Sequence, residues 1–221
     1  MSITIISSSP AAKSSEETIT LVNFTSADTM TSVSLKPFAE KVIAVTGAAS
    51  GIGRAVAVYL ANRGASLAIS DVQKDALTKL SGELSAAGAR VEATVVDVSN
   101  PGQVKDWIEK TVKTLGKLDG AANIAGISGS MVDRLEAQTD EDWKLVIDIN
   151  LSGTMYSMRE EIKHLKDGGS IVNASSVLGL RSAPDPGSAS YVASKHAVLG
   201  ITRQAAREYG HRNIRVNCVN P

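Results

Sequence analysis

The stretch KVIAVTGAASGIGRAVAVYLANRG, residues 41–64, decides the fold. Its opening is continuously apolar and short, which reads as a strand buried on both faces. Glycines at 47, 51 and 53 follow at once, and then a helical apolar period runs to a stop at Gly64. Strand, glycine turn and helix in that order form the first half of a βαβ unit. Gly47 permits the tight turn, Gly51 lets backbone approach a pyrophosphate, and Gly53 lets helix and strand close together. The spacing is GxxxGxG rather than GxGxxG, so the turn alone leaves open a plain tight connection.

The same alternation continues downstream. SLAISD reads as a second strand, residues 74–88 as an amphipathic helix and VEATVVDV as a third strand. A helix over 101–115 opens on Pro101, a favourable first-turn residue. LDGAANIAG forms a fourth strand and its exit, and one long helix runs from Asp140 to about residue 165, with acids suited to its first turn. GGSIVNASS, residues 190–209 and IRVNCVN supply a fifth strand, a helix and a sixth strand. Apolar strands alternating with helices of ten residues or more predict a doubly wound, mostly parallel α/β sheet, Rossmann-like, with ligands beyond the carboxyl ends of its strands.

Composition bounds the rest. The 221 residues suit one domain with a full core. Lys+Arg and Asp+Glu both number 23, so no basic field argues for nucleic acid. Cys218 is the single cysteine, and His164, His196 and His211 have no metal spacing; no metal site is expected. No run reaches membrane-span length, and the N-terminus lacks a secretory pattern, so cytoplasmic residence is the simplest expectation. Residues 1–38 carry 15 Ser or Thr before position 35 and no sustained period, which predicts a disordered leader with at most a short strand near 18–22. The folded domain is expected over 39–221. Met30 can serve as the start of a more compact chain, and the glycosylation pattern at Asn23 reads as chance without secretion.

Asp71 gives the glycine turn a second signal. It stands just beyond the second strand, 24 residues after Gly47, where a carboxylate accepts from both hydroxyls of an adenosine ribose. The same charge repels a 2′-phosphate, and positions 48–50 and 72 offer no Arg or Lys to offset it. NAD is therefore expected over NADP. Asp97 and Asn123, at the ends of the third and fourth strands, can contact adenine or equally serve as caps and turn residues.

Tyr191 and Lys195 are one helical turn apart and share a face. A cation near a phenol favours the phenolate, and a phenol so tuned can exchange a proton with an alcohol or a carbonyl. Such a pair also occurs on plain surface helices. Ser176, just past the fifth strand, can hydrogen-bond a substrate oxygen, whereas Ser175 is expected to turn inward and secure the strand end. Asn150 lies mid-helix, where asparagine is mildly unfavourable, and its side chain can hold a water leading from Lys195 to solvent.

Together these pieces resemble the short-chain dehydrogenase/reductase family from about Lys41 through Pro221. The matching segments are TGAASGIG at 46–53, Asp71, Asp97, NIAG at 123–126, Asn150, SSVLG at 175–179, YVASK at 191–195 and IRVNCVNP at 214–221. The resemblance implies strand order 3-2-1-4-5-6 and a catalytic tetrad of Asn150, Ser176, Tyr191 and Lys195. Tyr191 would be the general acid/base, Ser176 would position the reacting oxygen, Asn150 would sustain a proton relay, and Lys195 would also bind the nicotinamide ribose. It further implies cofactor contacts from Thr46, Gly47, Ser50, Gly51, Ile52, Gly53, Asp71, Val72, Asp97, Val98, Asn123, Ala125 and Gly126, together with Tyr191 and Lys195.

Two local departures stand out. Ile124 replaces the family's common second asparagine, and the gap from Ser176 to Tyr191 is slightly long. Family members also usually continue past the position of Pro221 to a substrate loop, a helix and a seventh strand, so the resemblance implies a sheet without that strand and a pocket without one wall. The function implied is NAD(H)-dependent interconversion of a secondary alcohol and a ketone, in the manner of fungal members that tailor secondary metabolites. An NADP(H) reductase and a catalytically inactive nucleotide-binding or assembly protein are the alternatives. A homodimer or homotetramer through the helices bearing Asn150 and Tyr191 is implied as well.

Overall fold

The computed structural model describes residues 36–130, 134–184 and 186–221. The expected leader, apart from its last three residues, and the short strand near 18–22 lie outside the described residues. In the described part, β1 (Val42–Thr46), β2 (Ser66–Asp71), β3 (Val91–Val95), β4 (Leu118–Asn123), β5 (Leu165–Ala174) and β6 (Arg215–Val219) form one sheet. Its order is β3-β2-β1-β4-β5-β6 and every pairing is parallel, as expected. The order reverses direction between β1 and β4, and the crevice of such sheets opens at that point.

Side chains alternate across the sheet and so feed two cores. Val42 and Ala44 point to a cluster with Val104, Trp107 and Ile108 of α3 (Pro101–Leu115) and Met158 and Ile162 of α5 (Gly153–His164). Val45, Leu67 and Ile69 point the other way, to Ala57 and Leu60 of α1 (Gly51–Asn62) and Leu77, Leu80 and Leu84 of α2 (Lys74–Ala86). Burying each large apolar side chain contributes about 1.5–3 kcal/mol, so these two layers carry the stability that holds the strand ends in place. Helix limits follow local chemistry. Asn100 caps α3 by accepting from the amides of Gly102 and Gln103, and Gly116, in the left-handed region, ends it.

The long helix expected from residue 140 to about 165 is three pieces: α4 (Asp140–Ile147), a π-helical segment (Asp148–Ser152) and α5. Asn150 occupies the middle of the π segment. Widened turns of this kind are frequent at functional sites. β5 starts earlier than expected, at Leu165, with a register shift against β4 between Leu118 and Gly120.

The last helix, α6 (Ala189–Tyr209), packs with α5 on the α3 side. On the opposite face of β4, β5 and β6 lies an apolar groove of about 760 Å³ between α1 and the far sheet edge, lined by Phe38, Val56, Tyr59, Ala122, Val172 and Val219 among others. Among the described residues β6 pairs only with β5, and no helix is long and apolar enough to cross a membrane.

Candidate active site

A cleft of about 350 Å³ opens beyond the carboxyl ends of β1 to β4. Its floor is the glycine turn, and the backbone there has no room to spare. A Cβ on Gly53 would lie 2.0 Å from the Gly47 carbonyl oxygen, and one on Gly47, which has φ +66°, would lie 2.8 Å from the Ala125 backbone. Gly51, at φ +50°, faces open space instead, so the approach to its backbone is unobstructed. Ser50 is the N-cap of α1, yet its hydroxyl makes no capping bond, and no acid sits in the first helical turn. The positive end of the helix dipole and a free hydroxyl thus face the cleft, an arrangement suited to a pyrophosphate.

The walls hold most of the predicted cofactor residues. Ser50, Gly51, Ile52, Asp71, Val72, Asp97, Val98, Ala125 and Gly126 line the cleft with Gly47 and Gly53. Asp71 is 7% exposed and fixed at both oxygens. Oδ2 accepts from the Ala49 amide at 2.9 Å, and Oδ1 accepts from the Gln73 amide at 2.9 Å. The carboxylate is therefore oriented before any ligand arrives, with acceptor capacity left on each oxygen. Asp97 Oδ1 accepts from the amide and hydroxyl of Ser99, which holds the turn after β3. Thr46 does not line the cleft. Its hydroxyl oxygen accepts from the amides of Ile124 and Ala125 at 3.0 and 3.2 Å, so it fixes the wall from below.

Asn123 calls for a correction. Its side chain turns away from the cleft into the core, donating to Glu161 Oε2 and Asn173 Oδ1, each at 3.0 Å. The strand register places Asn123 beside Asn173, and the Asn123 Nδ2 is committed there, away from the cleft.

Tyr191, Lys195 and Ser176 do not line this cleft; they stand beyond the ends of β4 and β5, and Gly126 joins the two regions. A Cβ on Gly126 would lie 3.3 Å from Lys195 Nζ and 3.2 Å from Asn150 Oδ1, so a side chain there would press on both groups. Lys195 is 4% exposed and donates to the Ala174 carbonyl at 2.9 Å. Burial holds its ammonium down to about 8, within reach of physiological proton exchange. Nζ lies 5.5 Å from the centroid of the Tyr191 ring. Ser175 turns inward, donating to the Lys195 carbonyl at 2.7 Å. Ser176 is next in the chain, and its hydroxyl oxygen accepts from the Leu178 amide at 3.2 Å.

Asn150 is held mainly by protein groups. Its side chain is fully buried, and all its polar capacity is used by protein except one acceptor site. Oδ1 accepts from the Ile127 amide at 2.8 Å, while Nδ2 donates to the Ile127 carbonyl at 2.9 Å and to Ser194 Oγ at 3.1 Å. Ser194 in turn donates to the Tyr191 carbonyl at 2.7 Å. The asparagine staples the exit of β4 to the start of α6, and one acceptor site on Oδ1 remains. Sequence reasoning missed Ser194, although a serine three residues after Tyr191, inside an apolar helical run, was the available signal.

A glycine turn over a helix N-terminus, an oriented carboxylate and a buried lysine beside a tyrosine define a dinucleotide-dependent oxidoreductase. The comparisons with known proteins agree. The family model described as Enoyl-(Acyl carrier protein) reductase matches residues 47–221. The short-chain dehydrogenase/reductase aba4 of Botryotinia fuckeliana (strain B05.10) is 45% identical over 192 residues, covering 86% of this chain and 74% of that protein. A short chain dehydrogenase of Burkholderia cenocepacia, solved with NADP, is 33% identical with a TM-score of 0.79, covering 83% of this chain and 74% of that one. A family member of Burkholderia phymatum, solved with NAD, is also 33% identical, with a TM-score of 0.76 and coverage of 83% and 65%. The chain belongs to the short-chain dehydrogenase/reductase family, NAD(P)(H)-dependent oxidoreductases of alcohols and ketones.

Proposed function

We propose that this protein interconverts a secondary alcohol and a ketone with NAD(H), using Tyr191 as the general acid/base. The observation that carries the reading is the buried Lys195 ammonium 5.5 Å from the Tyr191 ring, at the cleft end marked by Gly126. A bound dinucleotide supplies the hydride acceptor or donor. Tyr191 takes the hydroxyl proton of an alcohol or returns one to a carbonyl oxygen, and Ser176 hydrogen-bonds that oxygen to set its orientation. Lys195 favours the phenolate while it is charged and binds the nicotinamide ribose. Asn150 acts by holding Ile127 and Ser194, and so the Tyr191 turn, in place.

Asp71 supports NAD over NADP, because a 2′-phosphate would meet a carboxylate already fixed by two backbone amides. The solved relatives include complexes with either cofactor, so the preference rests on this residue. We extend the reading to fungal secondary metabolism, a fungal member of the family, aba4, being 45% identical to this chain. We further assign the protein to the cytoplasm, and read the exposed Trp143, Leu145 and Met155 on α4 and α5 as part of a homodimer or homotetramer surface.

The test follows NADH absorbance over a panel of secondary alcohols and ketones for the wild type and Tyr191→Phe, with parallel titration of NAD and NADP. Turnover with NAD that vanishes in Tyr191→Phe, at unchanged cofactor affinity, is expected. Equal turnover in the two proteins would end the proton-transfer role, and tighter binding of NADP would end the Asp71 argument.

A further inference from the structure

Beneath the ends of β4 and β5 lies a buried carboxyl group that the proposed reaction does not use. Glu161 of α5 is 0% exposed and lies in the polar layer under the site. Asn123 Nδ2 donates to Glu161 Oε2 and to Asn173 Oδ1. Asn173 Nδ2 donates to Thr202 Oγ1 at 2.9 Å, and Thr202 donates to the Val198 carbonyl at 2.7 Å. Every direction in this chain is fixed. Two buried atoms at its end lack a partner, Glu161 Oε1 and Asn123 Oδ1, and they belong to the same pair.

With Glu161 ionised both atoms are acceptors, and neither can satisfy the other. An isolated carboxylate at such a site is also costly unless a cation meets it, and the surrounding elements supply none. On α5, Glu160 takes both Arg159 and Lys163, and His164 makes no ion pair among the described residues. Arg212, packed against the end of that helix, pairs with Asp167 and donates to the Ile162 and Leu165 carbonyls. The charged residues of α3, Lys105, Asp106, Glu109, Lys110 and Lys113, are exposed, and its buried face is Val104, Trp107, Ile108 and Thr111. On β4, Asp119 pairs with Lys117 and Lys41; on β5, Lys166 and Asp167 are exposed. On α6, Lys195 donates to Ala174, and His196, Arg203 and Arg207 avoid the buried face.

We propose that Glu161 is a neutral carboxylic acid that donates from Oε1 to Asn123 Oδ1, forming a reciprocal acid–amide pair that positions the ends of β4 and β5. Each end leads straight into the site. After Asn123 come residues 124–127, which line the cleft and bind Asn150; after Asn173 comes Ala174, the acceptor of Lys195. Burial pushes the Glu161 carboxyl up to about 8, against a smaller lowering by the Asn123 bond. Because the folded value lies above the ordinary 4.5, the pair's stability is complete below about 4.5 and lost as pH rises through about 8.

The experiment compares the wild type, Glu161→Gln and Glu161→Ala as the full chain. Glutamine places an N–H where the acid has its O–H, so it keeps both bonds and carries no charge. Between pH 5 and 8 the unfolding constant of the wild type, relative to Glu161→Gln, is expected to rise about tenfold per pH unit. At pH 7 the infrared band of a neutral carboxyl group is expected in the wild type and absent from Glu161→Gln. Above pH 8, amide exchange over residues 124–127 and 174–176 speeds up in the wild type relative to Glu161→Gln at the same pH. The turnover ratio of wild type to Glu161→Gln falls over the same range, while glutamine but not alanine preserves the rate at pH 7. These readouts except turnover stand whether or not the chain acts on alcohols. A pH-independent stability ratio, or no difference in the infrared band, overturns the neutral acid; equal exchange and a constant turnover ratio above pH 8 overturn its positioning role.

Discussion

Replacing Asn150 by alanine separates a structural staple from a water carrier. The side chain makes three hydrogen bonds, two to the Ile127 backbone and one to Ser194 Oγ. Each contributes roughly 0.5–1.5 kcal/mol net, and truncation also strands the Ile127 amide and carbonyl in a partly buried place. Asn150→Ala is therefore expected to cost about 2–4 kcal/mol of unfolding free energy. In a domain of this size that lowers Tm by about 5–15 °C. Ser194→Ala removes the bond shared with Asn150 and the bond to the Tyr191 carbonyl and is expected to cost about 1–3 kcal/mol. The double variant should lose less than the sum of the two, because the Nδ2 to Oγ bond can be lost only once. Urea unfolding followed by circular dichroism gives all three values, and NAD titration with NADH absorbance gives binding and turnover. Loss of turnover in Asn150→Ala with stability within about 0.5 kcal/mol of the wild type would refute the staple and restore the water-holding reading.

Two further outcomes follow from the same geometry. Gly53→Ala would set a methyl group 2.0 Å from the Gly47 carbonyl oxygen, so the turn must shift; cofactor affinity, measured by NADH fluorescence, should fall at least about tenfold, and an unchanged affinity would disprove the close approach. Lys195 sits at about 8 when folded, below its ordinary 10.5, so between those values the unfolded chain holds more protons and stability should rise with pH relative to Lys195→Met. Chemical unfolding of both proteins from pH 7 to 10 measures this, and a falling difference would contradict the burial of the ammonium.

Much of this protein was readable along the chain. The alternation of strands and helices could be expected because short apolar runs, the 47–53 glycine turn and helical periods between strands are local signals; the strand order was expected from the family resemblance. Asp71 and the Tyr191–Lys195 spacing were equally plain, since each lies at a strand end or on one helical face. The side chains of Asn123 and Asn150 were not. Nothing near Asn123 in sequence points to Glu161 or Asn173, 38 and 50 residues away, and nothing near Asn150 points to Ile127 and Ser194, 23 and 44 residues away.

The consecutive pair Glu160 and Glu161 shows the same division most simply. They are neighbours in one helix, yet one meets Arg159 and Lys163 while the other is sealed under the sheet. Sequence by itself determined the order of elements and the residues delivered to each strand end, because backbone periodicity and turn chemistry are decided within a few residues. Only the tertiary structure decided which polar groups face the cleft and which are consumed inside, because that depends on the partners that packing brings within about 3 Å of each one.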